Sequence, residues 1–285
     1  MRFFLIFLLF LGSLFAKDMI AVSILPQKFF VKKIVEDRFD IEVMVPPGSS
    51  PATYSVKPQQ LLSLKKAKIY FSTGVPFEKA WLKRFKSANK SLKIVDIGKY
   101  IKKFPMQEHH HEGEHEHHHE HEKILDPHIW LSPPLVILQA RVILEEICKI
   151  DPKNKDFYLK NYQKFSNELT NLDTKIFKKL FNLKKREFIV YHPSFGYFAR
   201  SYNLKQIAIE KEGKEPTIKY LKRVIDIAKK KNIKVVFVEP QFSKKSAKFI
   251  ASKIGGEVLE IDPLNENWDK NILKVVEAIE RANSN

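Results

Sequence analysis

The sequence predicts an α/β protein of two lobes, each built on a parallel four-stranded sheet, joined by one long rigid helix. Three observations predict it. Short apolar runs rich in β-branched residues alternate with helical patterns in both halves of the chain. A stretch with helical periodicity and no Gly or Pro, residues 153–182, separates the halves. And 285 residues suit two units of roughly 120 to 140 residues each.

In the first half the strand candidates are 19–24 (MIAVSI), 41–45 (IEVMV), 68–72 (KIYFS) and 92–96 (LKIVD), with helical patterns at 27–37, 58–66 and 76–88. The second half repeats the plan. Its strand candidates are 187–191 (EFIVY), 204–209 (LKQIAI), 233–238 (IKVVFV) and 257–261 (EVLEI), followed by helical patterns at 194–202, 217–231, 243–254 and 266–281. Strands alternating with helices imply βαβ units and Rossmann-like lobes. Between the halves, residues 133–149 open on Pro133-Pro134, suited to a first helical turn. Asp151 and Pro152 then suit the start of a second helix. Tyr158, Tyr162, Phe165, Leu169, Leu172, Ile176 and Leu180 recur in steps of three and four, which is one apolar stripe. The expected organisation is a signal peptide at 1–16, a first lobe at 17–150, a linking helix at 151–182 and a second lobe at 183–285.

The leader "MRFFLIFLLFLGSLFAKD" has one basic residue, an apolar run and small residues ahead of Lys17. That is a secretory signal, with cleavage expected after Ala16, and too short a run for a spanning helix. No Cys follows the run, so no lipid anchor is expected. The one cysteine, Cys148, can form no internal disulfide and reads as a small buried residue. The net charge is +17, but the lysines are scattered through helical segments without a nucleic-acid motif. They read as a solvated basic surface, with no nucleic acid as partner.

Residues 108–122, "EHHHEGEHEHHHEHE", hold eight of the ten histidines. His109, His110, His111, His115, His117, His118, His119 and His121, mixed with six glutamates, are a metal-binding composition. The run matches H-E-x-x-H at His111–His115 and at His115–His119, but Gly113 and the lack of an apolar face argue against the stable helix that motif needs. It is expected to be a low-complexity loop that captures ions in many geometries.

The other two histidines occupy more telling places. His192, in "IVYHPSFGYF", follows a predicted strand, as do Glu239 in "VFVEPQFS" and Asp262 in "EVLEIDPL". Ligands of parallel α/β sheets bind beyond the carboxyl ends of the strands. His128 lies in "DPHIWLSPP", just after the histidine run. Groups from both lobes can therefore converge on one cleft.

The ordered set "SILPQKFFVKKI", "MVPPGSSPATYSVKPQQL", "STGVPFEKAW", the His-rich insertion, "DPHIWLSP", "HPSFGYFARSYNL", "EGKEPT", "VEPQFS" and "IDPL" resembles the metal solute-binding proteins of bacterial ABC importers, of the zinc-uptake type, over essentially the whole chain. The resemblance implies two α/β lobes bridged by a long helix, with metal ligands at His128, His192 and Asp262. A His at position 192 fits zinc-type members. The chain departs from the pattern at Ala52, where the family usually has a His within Pro-His-x-Tyr. The fourth position is then open to water or to an imidazole of the loop. Glu239 and Tyr54 are expected to orient the ligands.

The resemblance also implies a periplasmic protein, expected to be monomeric, that captures Zn²⁺ (Mn²⁺ and Ni²⁺ being less favoured) and hands it to a membrane permease without doing chemistry. Two alternatives are a store or adhesin-like binder without transport, and a His₂Asp zinc hydrolase with Glu239 as base.

Overall fold

The computed structural model describes residues 17–106, 125–210 and 215–283. The signal-peptide and His-rich-loop expectations fall on residues outside these. The first lobe runs β1 (Met19–Val22), α1 (Leu25–Val35), β2 (Asp40–Val43), α2 (Pro58–Leu64), β3 (Ala67–Ser72), α3 (Pro76–Ala88) and β4 (Lys93–Asp96). Helices α4 (Pro133–Ile150) and α5 (Lys155–Phe181) follow. The second lobe runs β5 (Glu187–Val190), α6 (Gly196–Ser201), β6 (Lys205–Ala208), α7 (Ile218–Lys230), β7 (Val235–Val238), α8 (Lys244–Ile254), β8 (Glu257–Glu260) and α9 (Trp268–Asn283).

Both sheets are parallel, with strand orders β2-β1-β3-β4 and β6-β5-β7-β8. The order reverses between β1 and β3 in one lobe and between β5 and β7 in the other, which sets the crevice at the carboxyl ends of those strands. Helix starts follow local chemistry. Pro opens α2, α3 and α4 at positions whose N–H has no helical partner, and the Thr217 and Ser243 side chains cap α7 and α8. Asp151 does not cap α5 through the backbone. Its carboxylate instead accepts hydrogen bonds from Asn154 Nδ2 (2.7 Å) and the Tyr158 hydroxyl (2.6 Å), and a 3₁₀ turn at Pro152–Asn154 precedes the helix.

The stripe read on α5 is buried at Tyr158, Phe165, Leu169, Ile176 and Leu180. It packs α5 between α4, α1 and α9. The side chains of β5 divide by the period-two rule. Phe188 and Val190 join one large apolar cluster that continues through α4 and α5 into the first sheet, while Ile189 and Tyr191 join a smaller cluster under α7 and α8. The lobes thus share a core. Cys148 is only half-buried, against that core.

Each crevice holds a buried carboxyl. In the first lobe, Glu78 accepts from the Ser23 hydroxyl (2.5 Å) and from the Thr73 (2.9 Å) and Gly74 (2.7 Å) N–H groups. Burial pushes it up to about 7, against the lowering effect of those three donors. The folded state therefore holds a proton that the unfolded chain has lost, so this group's contribution is most favourable below pH 4.5 and is lost as pH rises towards 7. Glu78→Gln, which never ionises, is expected to gain on the parent by roughly 2–3 kcal/mol between pH 4.5 and 7.5. Urea unfolding at a series of pH values measures this; parallel stability curves for the two proteins would contradict it.

Candidate metal centre

His128 follows Asp126-Pro127 and precedes a 3₁₀ turn at Ile129–Leu131. Asp126 Oδ1 accepts from both the His128 backbone N–H (2.9 Å) and its Nδ1 (2.7 Å). The carboxylate is closely housed: a Cβ on Gly196, which opens α6, would lie 2.7 Å from Asp126 Oδ2. Only glycine lets α6 begin there without displacing the group that orients His128.

His192 leaves the end of β5 with its Nδ1 2.7 Å from Glu210 Oε2, a carboxylate just past β6. Its ring stacks on Phe242 at 5.2 Å between centroids. Ionised carboxylates only accept, so Nδ1 carries the hydrogen in both imidazoles and Nε2 is the nitrogen left for an ion. This is the carboxylate–histidine pairing that fixes a metal-binding tautomer. The two rings face one another, 5.2 Å between centroids and 71° between planes. Two imidazoles on one tetrahedral zinc, each at about 2.0–2.1 Å, place their centroids about 5 Å apart.

Asp262 sits elsewhere in the crevice. Its Oδ1 accepts from Leu264 N (3.0 Å) and Gln241 Nε2 (3.3 Å), and it lines a cavity of about 240 Å³ with Val45–Gly48 of the first lobe. Among the described residues no three His, Cys, Asp or Glu side chains stand close enough together to hold an ion. The structure brings His128 and His192 together and leaves Asp262 at the cavity wall.

Glu239 is fully buried. It accepts from the Ser194 hydroxyl (3.0 Å) and the His192 backbone N–H (3.3 Å), and burial, opposed first by His192, pushes it up to about 7. It supports the His192 backbone rather than the ring. The Tyr54 hydroxyl donates to Gln60 Oε1 (2.7 Å) and so braces the first-lobe loop. The ring partners that sequence reasoning missed are Asp126 and Glu210. Asp126 was signalled by D-P-H; Glu210 lies 18 residues from His192, with no local sign.

A pair of tryptophans ties the two sides. Trp130 Nε1 donates to Pro263 O (2.8 Å), and Trp268 Nε1 donates to Trp130 O (2.8 Å). Trp268 also packs edge-on against Phe30 of α1 at 5.2 Å. The His128 and Asp262 segments are therefore held by one buried clasp. The ends of the segment carrying the histidine run meet beside it, where Pro105 and Leu125 form an antiparallel bridge and Asp126 N donates to Phe104 O (2.8 Å).

The family described as "Zinc-uptake complex component A periplasmic" matches residues 20–282. The chain belongs to this zinc-uptake family. It is 33% identical over 264 residues to the high-affinity zinc uptake system protein ZnuA of Bacillus subtilis, covering 89% of this chain and 82% of that protein. A crystal structure of ZnuA matches with a TM-score of 0.87 at 42% identity, over 94% of this chain and all (100%) of that one. A ZnuA deletion mutant with zinc bound matches with a TM-score of 0.86 at 42% identity, over 94% of this chain and 99% of that one. The zinc-uptake family is that of the solute-binding components of ABC importers and works outside the cytoplasm. Among the described residues, no helix is long and apolar enough to cross a membrane.

Both carboxylates behind the imidazoles give a direct prediction. Glu210→Gln and Asp126→Asn are each expected to weaken zinc binding about 10- to 100-fold while the fold is kept. Competition titration against a chromophoric chelator reads the effect; unchanged affinity in both would show that the tautomers are fixed by other means.

Proposed function

We propose that this chain captures Zn²⁺ in the crevice between its lobes, on His128, His192 and Asp262, and passes it as cargo to the permease of an ABC importer. The observation that carries this reading is the facing pair His128 and His192, one from each side of the crevice, each with Nδ1 engaged by a carboxylate. Asp262, which bonds to Leu264 N–H and lines the neighbouring cavity, has to turn out of its loop towards the histidine pair to join them on the ion. With Ala52 at the first-lobe position, water or an imidazole from residues 109–121 completes the shell. The protein acts as a monomer after cleavage behind Ala16 and does no chemistry on its cargo. Glu239 fits that view, since both its oxygens are taken up inside the protein and a substrate has no access to it.

The shared core favours small movements of the lobes over wide closure, so release is expected to depend on the permease prising apart the crevice loops. Deleting the gene and measuring zinc accumulation in chelator-treated medium tests the transport role. Reduced uptake, restored by the parent gene but not by a His128→Ala/His192→Ala version, is expected. Undiminished uptake in the deletion strain would leave a storage or adhesive role.

A further inference from the structure

Zinc capture makes no use of the charge of +17, and part of that charge is gathered with an apolar feature far from the crevice. In the second lobe the metal residues lie at the carboxyl ends of the strands. The opposite edge, where α5 and α7 end and β5 and β7 begin, carries exposed Lys178, Lys184, Lys229 and Lys230. The parts of this edge are joined. Arg186 donates to Leu180 O (2.9 Å) and Phe181 O (2.5 Å), folding the 184–186 segment onto the end of α5. Lys231 pairs with Glu187 at 2.7 Å, drawing in the end of α7. Of the neighbouring acidic groups, Glu187 pairs with Lys231 and Glu280 with Lys179 at 2.8 Å, while Glu277 also acts on Lys179 and Asp226 lies one turn before Lys229 and Lys230 on α7.

Lysines in a last helical turn are explained by the helix dipole alone. The aromatic pair among them is not. Phe177 and Phe181 lie one turn apart on α5, 51% and 61% exposed, with ring centroids 5.2 Å apart. They project from the helix whose neighbouring residues Ile176 and Leu180 are buried in the core. Two exposed rings on an edge that also carries exposed lysines have the chemistry of a surface that rests on a lipid interface, where cations meet headgroup phosphates and aromatic rings enter the boundary region. A soluble polyanion would satisfy the lysines and leave the rings in water.

We infer that this pole of the second lobe docks on an anionic phospholipid bilayer, through Lys178, Lys184, Lys229 and Lys230 with Phe177 and Phe181 entering the interface. Docked in this way, the crevice faces away from the bilayer and stays open to incoming metal, and the search for a permease is confined to the membrane surface.

The test uses the zinc-loaded chain from Lys17 onward, which contains every described element, and vesicles of phosphatidylcholine with and without phosphatidylglycerol. Sedimentation with the anionic vesicles only is expected. Phe177→Ser/Phe181→Ser and Lys229→Glu/Lys230→Glu should each lower the bound fraction about tenfold without altering zinc titration. Phe181→Trp should add blue-shifted emission on contact with anionic vesicles. The proposal is overturned if the protein ignores phosphatidylglycerol, if the double Ser variant binds as well as the parent (attraction by charge alone), or if the rings prove to join two copies, seen as a dimer that the Ser variant abolishes.

Discussion

Replacing His192 by Ala is expected to weaken zinc binding by at least about a hundredfold, close to 2.7 kcal/mol. In the proposed site the ring is the second lobe's nitrogen ligand, and its removal takes away the imidazole whose Nδ1 the Glu210 carboxylate holds. The loss should appear in affinity and not in folding, because His192 is partly exposed and its backbone N–H to Glu239 survives the change. His128→Ala should behave alike, with a larger cost in stability because that ring is buried beside Trp130, at 5.0 Å between centroids. Chelator competition gives the affinity and circular dichroism the fold. Tight binding that persists in both variants would remove the pair from the site.

Trp130→Ala is expected to cost about 3–5 kcal/mol in stability, the range for truncating a buried aromatic residue, and to weaken zinc binding as well. The indole fills the space between the His128 segment and the last helix, and its N–H is the bond to Pro263, next to Asp262. Trp130→Phe separates the two effects. It keeps most of the ring and deletes the donor, leaving Pro263 O without its partner at about 1–2 kcal/mol. Urea unfolding with and without zinc measures both. A cost below about 1 kcal/mol for Trp130→Ala would mean that the clasp is not what holds the two segments together.

The architecture was legible because each α/β element is set by local chemistry. Runs such as "IKVVFV" could only be buried strands in this context, and the stripe from Tyr158 to Leu180 could only be a helix with one buried face. The helical segment begins at Pro152 as expected, but its first turn is 3₁₀ and the Asp151 carboxylate bonds to the Asn154 and Tyr158 side chains, a choice that periodicity does not show. Strand ends pointed to His192, Glu239 and Asp262, but direction along a sheet does not say which way a side chain turns. The sequence therefore brings Asp262 to the crevice but does not show that its carboxylate bonds to its own loop there. Glu210 and the Trp130–Trp268 clasp were invisible for a related reason: each joins residues distant in sequence, and only the strand order and the folding of α9 back onto α1 bring them together. Nor does the sequence show that the Tyr54 hydroxyl turns to Gln60.

We place the defined zinc site in the crevice on His128, His192 and Asp262, with the histidine run as its accessory. Zinc titration of the chain lacking residues 108–122, beside the intact protein, tests it most directly. One tight site is expected to survive the deletion, weakened no more than about tenfold by loss of a loop imidazole, while additional weak binding disappears. Loss of the tight site with the loop, in a protein whose fold and crevice histidines are intact, would contradict it.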